Sequence, residues 1–261
     1  MSAAEPMLLS EIADGIATVT LNRPGARNAL SMALMAALDE TLARLEADPA
    51  VRVVVLAANG PAFCAGHDLK EMRALEDRDQ VAAVFARCAR LMTRIVRLRQ
   101  PVIARVHAMA TAAGCQLVAS CDLAFAAEGA KFATPGVNIG LFCSTPMVAL
   151  SRAIGRKQAM EMLLTGHAVD AATAQAWGLV NRAVPAAELD AVVAGTAHLL
   201  ASKSAHTLKV GKEAFHRQTE MDLDAAYAYA AEVMTANMMA EDAKEGVDAF
   251  LEKRTPIWRG C

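Results

Sequence analysis

Residues 106–122, reading VHAMATAAGCQLVASCD, constrain this chain more than any other stretch. A β-rich run, PVIARV, precedes them and another, DLAFAA, follows. The small residues Ala110, Thr111, Ala112, Ala113 and Gly114 let a backbone turn lie against a ligand, because no bulky side chain intervenes. Residues 115–120 can then form a short apolar helix. A strand, a tight turn and a helix in this order leave the first helical N–H groups without intrahelical partners, with the positive end of the helix dipole behind them. Such amides stabilise a developing oxyanion. The stretch therefore reads as the floor of an active site.

The flanking sequence reads as an α/β chain. Residues 15–21, GIATVTL, alternate as a half-buried strand does, and Asn22-Arg23-Pro24-Gly25 ends them with turn residues. A helix is expected from about residue 31, with Leu34, Leu38, Leu42 and Leu45 on one stripe. Residues 51–57, VRVVVLA, suit a strand covered on both faces. In PAFCAGHDLKEM, Ala65 and Gly66 form a second close-approach loop, and Asp68 with Glu71 has the form of a capping box. The charges at 76–79 lead into a helix predicted over 80–98. Residues 131–136 should turn on the same side as the opening stretch if the strands are parallel. Helical patterns dominate from residue 146, broken by a strand-like run at 179–184, and residues 202–253 carry no strand pattern. The expected organisation is a core over 1–200 and a helical tail over 201–261.

Composition limits the function classes. Hydrophobic residues make up 55% of the chain, yet no run approaches the roughly 18 apolar residues of a membrane helix. A soluble protein with no membrane partner is expected, and its alanine and methionine content suits packed helices and homo-oligomerisation. A net charge of -2 gives no electrostatic footprint for nucleic acid. The six cysteines, Cys64, Cys88, Cys115, Cys121, Cys143 and Cys261, include no CxxC pair, which suits reduced thiols. The N-terminus, MSAAEPMLLSEIADG, lacks the pattern of a secretory or transit signal, so a cytoplasmic location is expected.

Three segments, LNRPGARNALS, PAFCAGHDLKEM and ATAAGCQLVASCDLAFA, match in order and spacing a known pattern. Through them the chain resembles the crotonase superfamily of enoyl-CoA hydratases and isomerases over essentially its whole length. FATPGVNIGLFCSTP resembles one subgroup, the enoyl-CoA hydratase domain-containing protein 3 group. The resemblance implies a crotonase-like spiral of ββα units whose C-terminal helices build a homotrimer, often paired into a hexamer. Periodicity alone leaves a doubly wound sheet equally open. The implied ligand is an acyl-CoA thioester, with coenzyme A entering as part of the substrate and no separate cofactor or metal. The backbone amides matching the family's oxyanion pair belong to His67 and Ala113. The CoA-binding positions map to Ala26, Arg27, Ala65, His67, Asp68, Leu69 and Lys70, with Lys70 facing the nucleotide phosphates. Phe250 and Lys253 match a tail motif that meets CoA bound by a neighbouring subunit.

The chain departs from that pattern at the two glutamates used for hydration, whose positions read Gln116 and Gly136. Gln116 can orient water but cannot titrate, and Gly136 has no side chain. General acid–base catalysis supplies about 10²- to 10⁴-fold, so its loss leaves two readings. One is an enoyl-CoA hydratase- or isomerase-like enzyme of acyl-CoA metabolism that keeps the backbone oxyanion site. The other is a non-catalytic acyl-CoA-binding or regulatory protein. If the backbone already has the hydratase geometry, Gln116→Glu with Gly136→Glu should raise hydration. The remaining polar residues have plainer readings: Asp68 as a helix cap, Asn138 as a turn former, Asp122 as an anchor at a strand start, His107 as structural, and Cys143 as a thiol kept protonated by apolar surroundings.

Overall fold

The computed structural model describes residues 5–261. The reading of the N-terminus as free of a targeting signal rests in part on residues 1–4, which lie outside the described residues. The fold begins with an antiparallel hairpin of β1 (Leu8–Ala13) and β2 (Ile16–Leu21). Asp14 and Gly15 make its turn with φ of 52° and 75°, the two-residue geometry that matches strand twist. β1 lies outside the runs whose alternation marks a strand, and the Asp-Gly that follows it is the local signal of this hairpin. Next comes α1 (Met32–Ala47), capped by the Ser31 hydroxyl, which accepts from the Leu34 amide at 3.1 Å.

The chain then repeats one unit, a strand in a large sheet, a short strand in a second sheet, and a helix. The first copy is β3 (Val53–Ala58), β4 (Ala62–Cys64), α2 (Leu69–Arg73) and α3 (Arg78–Arg97). The second is β5 (Val102–Val106), β6 (Met109–Thr111) and α4 (Ala113–Ala119). The third is β7 (Leu123–Ala127), β8 (Lys131–Ala133) and α5 (Ser144–Ala153). There follow α6 (Arg156–Thr165), β9 (Val169–Asp170), α7 (Ala171–Trp177), β10 (Arg182–Val184), α8 (Leu189–Ala201), α9 (Ala205–Gln218), α10 (Leu223–Met238) and α11 (Glu241–Glu252). The large sheet runs β1-β2-β3-β5-β7-β10 and the small one β4-β6-β8-β9. All pairings are parallel except β1 with β2 and β8 with β9. This is the ββα spiral, not a doubly wound sheet.

The second sheet corrects the expected small-residue turn at 110–114. Residues 109–111 are a strand, and only Ala112 turns the chain. Three-residue strands are too short to show a period, so the small sheet was invisible to pattern reading.

Burial explains why the long runs form their elements. Leu34, Leu38, Leu42 and Leu45 of α1 are all sealed in the main core. Val54, Leu56 and Ala58 of β3 face that core, while Val53 and Val55 face Leu189, Val193 and Ala197 of α8. A strand covered on both faces needs no polar alternation.

The C-terminal helices dock through two buried polar contacts. Lys212 of α9 donates to the carbonyls of Ile95 and Gln100 at 3.1 and 3.0 Å, and pairs with Asp122 at 2.6 Å. Asp122 also accepts from the Val102 amide, the strand anchor expected of it. Asp242 of α11 binds the Ser204 hydroxyl and the amides of Arg259 and Gly260, strapping the last residues down. α8 ends at Ala201 and α9 begins at Ala205. On α10, Leu223, Tyr227, Met234 and Met238 lie exposed at helical spacing. No helix among the described residues is long and apolar enough to cross a membrane.

Candidate active site

The two small-residue loops meet. A Cβ added to Gly66 would lie 2.9 Å from the Ala112 Cβ and 3.3 Å from the Ala113 nitrogen. One added to Gly114 would lie 2.1 Å from the Cys64 carbonyl oxygen. Glycine at both positions is thus a requirement of contact between the loops. Ala112 has φ 49° and ψ −118°, a conformation costing a non-glycine residue roughly 1–3 kcal/mol. Its own amide donates to the Ala133 carbonyl at 2.8 Å, which holds the turn from the small sheet. Ala113 then opens α4, and among the described residues neither the Ala113 nor the His67 amide has an internal acceptor. Two free N–H groups on touching turns are what an oxyanion requires.

A third loop is zipped to these two. The Leu30 amide donates to the Gly66 carbonyl at 2.7 Å, Asp68 donates to Leu30 at 3.2 Å, and Ala65 donates to Arg27 at 3.0 Å. Asn28, buried at φ 54°, donates to the carbonyls of Asn59 and Ala62. The structure therefore brings Ala26, Arg27, Ala65, His67 and Asp68 together. Leu69 and Lys70 follow on the exposed start of α2. Among the described residues the charges of Arg27 and Lys70 have no ion-pair partner. Phe250, 82% exposed, and Lys253 sit instead at the end of α11 among the C-terminal helices.

Asp68 caps α2, accepting from the Lys70 and Glu71 amides, and pairs with Arg23 at 3.2 Å. Burial pushes its carboxyl up, but the Glu71 amide, the Arg23 guanidinium and the Lys70 amide outweigh it and hold the group below its ordinary value. The capping box is only half made. Glu71 does not return to the Asp68 amide but accepts from the Met32 amide of α1 at 2.9 Å, a long-range use that local spacing cannot show.

Gln116 is buried, and its Oε1 accepts from the Cys88 thiol at 3.8 Å. It lines a cavity of about 1450 Å³ between α3, α4, α5 and α9, with Met92, Thr145, Val148 and Phe215 also on its walls. Gly136 lies in a 3-10 turn over Pro135–Ile139, closed by the Leu141 amide donating to the Gly136 carbonyl at 2.9 Å. A Cβ there would lie 2.5 Å from the Leu141 carbonyl oxygen and 2.9 Å from the Cys143 Sγ. A side chain there would have to displace backbone, which bears against the condition, a backbone already of hydratase geometry, on which a gain from Gln116→Glu with Gly136→Glu depends.

The nearby thiols are not poised to react. Burial pushes Cys64 and Cys115 up to about 12 and raises Cys143. His107 binds the Gly60 carbonyl at 2.8 Å, a structural contact. His67 differs: both ring nitrogens are buried without a partner among the described residues, and the ring stands edge-on to Phe85 at 5.6 Å. Desolvation lowers its pKa, against opposing contributions from the Leu30 backbone and Glu71. Phe85, not singled out from sequence, and Glu71, read from sequence only as half of a capping box, are neighbours of this ring; the Thr134 hydroxyl is likewise buried without a partner among the described residues. Nothing in the local pattern shows these relations: Glu71 and Phe85 come from the two helices that follow the His67 loop, and Thr134 from the third copy of the unit.

Comparison with known proteins agrees with this architecture. Residues 11–261 match the family model described as enoyl-CoA hydratase/isomerase. The mouse protein named enoyl-CoA hydratase domain-containing protein 3, mitochondrial, is 44% identical over 98% of this chain and 86% of its own length. A crystal structure of an enoyl-CoA hydratase from Mycobacterium smegmatis superposes with a TM-score of 0.95 at 55% identity, covering 97% of this chain and 99% of that one. The human enoyl-CoA hydratase domain-containing protein 3 structure gives 0.94 at 43% identity, covering 97% and 100%. The chain belongs to the enoyl-CoA hydratase/isomerase family, the crotonase superfamily. Within it, the chain groups with enoyl-CoA hydratase domain-containing protein 3. One expectation is overturned: the mouse and human relatives are both named as mitochondrial proteins, so the cytoplasmic assignment does not stand. It rested on composition and on a missing signal pattern, and the composition of a folded body carries no cellular address.

Proposed function

We propose that this protein binds an acyl-CoA thioester and stabilises its enolate, using the His67 and Ala113 amides to hold the thioester oxygen. The observation that carries this reading is the pair of unpartnered amides on touching turns. The zipped loops bearing Ala26, Arg27, Ala65, Asp68, Leu69 and Lys70 form the CoA rim, with the free charges of Arg27 and Lys70 facing phosphates. Phe250 and Lys253, exposed on α11, serve the CoA of a neighbouring subunit, and the apolar face of α10 builds the trimer or hexamer. The cavity beside Gln116 takes the acyl chain. No cofactor beyond the coenzyme A of the substrate is required. The chemistry is enoyl-CoA hydratase- or isomerase-like but runs without the paired glutamates, since Gln116 does not titrate and Gly136 admits no side chain.

The alternative, a non-catalytic acyl-CoA-binding protein, is favoured by that same closed position. Binding of butyryl-CoA against its S-butyl thioether, which lacks the carbonyl, tests the oxyanion site. Two hydrogen bonds of about 0.5–1.5 kcal/mol each predict roughly 5- to 150-fold tighter binding of the thioester, and equal affinities refute the site. A time course with crotonyl-CoA and a longer enoyl-CoA, followed by product mass, separates the enzyme from the binder.

A further inference from the structure

We infer that the His67 imidazole is the proton-carrying group of this site, exchanging the proton on the carbon next to the thioester carbonyl. The inference rests on reading the His67 and Ala113 amides as the carbonyl site. It goes further in assigning the missing acid–base work to a side chain on one of those same residues.

Every carboxylate on the converging loops is already committed. Asp68 accepts from two amides and the Arg23 guanidinium, and Glu71 accepts from the Met32 amide. The thiols of Cys64, Cys115 and Cys143 stay protonated because burial raises them. Among the described residues of these loops, His67 alone offers a titratable group whose polar atoms are both buried and make no hydrogen bond of full geometry, the Leu30 backbone only acting on the ring from nearby. Leaving buried polar atoms without partners is costly, and a ligand that completes them removes the cost. Phe85 of α3 stands against the imidazole in a T-shaped contact, ring centroids 5.6 Å apart. A neutral imidazole has a lone pair on one nitrogen, so it is able to accept a proton.

Placement adds a further reason. The amide and the imidazole belong to one residue, so a carbonyl oxygen held by the first lies within a side chain's length of the second, and the acidic carbon is one bond from that carbonyl. In the step, the C–H bond breaks and its proton goes to the free ring nitrogen. The electron pair forms the enolate, whose oxygen is held by the two amides. The imidazolium trades that proton for one from solvent, and delivery of the new proton to the carbon completes an exchange that consumes nothing.

Butyryl-CoA in D₂O tests this directly, because a saturated thioester has no double bond to hydrate. The wild-type protein should place deuterium on the α-carbon. His67→Ala and His67→Gln keep the backbone amide and should bind butyryl-CoA within about 10-fold of wild type, while exchange falls by about 10²- to 10⁴-fold. Added imidazole should restore part of the exchange in His67→Ala, which a scaffolding role does not predict. Exchange at the wild-type rate in His67→Ala overturns the inference, as does binding by the wild type with no exchange. Loss of binding in both variants also overturns it, by making the ring part of the scaffold. Failure of the wild type to bind butyryl-CoA at all refutes the thioester reading instead.

Discussion

The carbonyl oxygen of Leu141 stands 2.5 Å from where a Cβ of residue 136 would sit. Backbone, not a movable side chain, closes the position, and the Leu141 amide is itself bonded to the Gly136 carbonyl. Gly136→Ala should therefore cost roughly 1–3 kcal/mol as overpacking, measured as a lower urea midpoint at unchanged slope. Gly136→Glu, alone or with Gln116→Glu, should gain no crotonyl-CoA hydration. A gain in the double variant would show that the loop yields.

Gly114 is tighter still, with its imagined Cβ 2.1 Å from the Cys64 carbonyl oxygen. Gly114→Ala should push the two amide-bearing turns apart. The expected result is destabilisation of at least about 1–3 kcal/mol and loss of the preference for thioester over thioether in any folded fraction. Calorimetry and thioester titration check both parts.

Lys212 is nearly buried and serves two carbonyls and Asp122. Lys212→Met leaves the Asp122 charge without its nearest cation, and breaking such a pair costs about 3–5 kcal/mol. Docking of α9 should loosen with it, so amide exchange across α9 should quicken. Protection equal to wild type would show that apolar packing alone holds the helix.

Asp242 gives a pH dependence of known sign. Burial raises its carboxyl, but the Ser204 hydroxyl and the amides of Arg259 and Gly260 outweigh this and hold it below the ordinary 3.8. A depressed folded pKa contributes stability that is present above the unfolded value and is lost as pH falls through the folded one. Thermal stability followed from pH 7 towards pH 3 should thus fall more steeply in the wild type than in Asp242→Asn. At pH 7 the variant should be weaker by about 1.5–3 kcal/mol, the scale of a hydrogen bond to a charged group.

What the sequence determined by itself was local. The leucine stripe of α1, the all-apolar β3, the Asp68 cap and the strand-turn-helix around Ala113 follow from spacing, propensity and backbone chemistry. Each of these signals sits within one or two turns of chain. The small sheet escaped because its strands are two or three residues long, and the half-made capping box escaped because Glu71 finds its partner 39 residues away at Met32. Only the tertiary structure decided that the 66 and 112 turns touch, that Gly136 is closed by Leu141, and that the His67 ring lies buried against Phe85. The first of these relations depends on how successive turns of the spiral stack, and the other two on how a loop folds back on itself and how α3 packs over the loop before it; no period in the sequence encodes any of these distances.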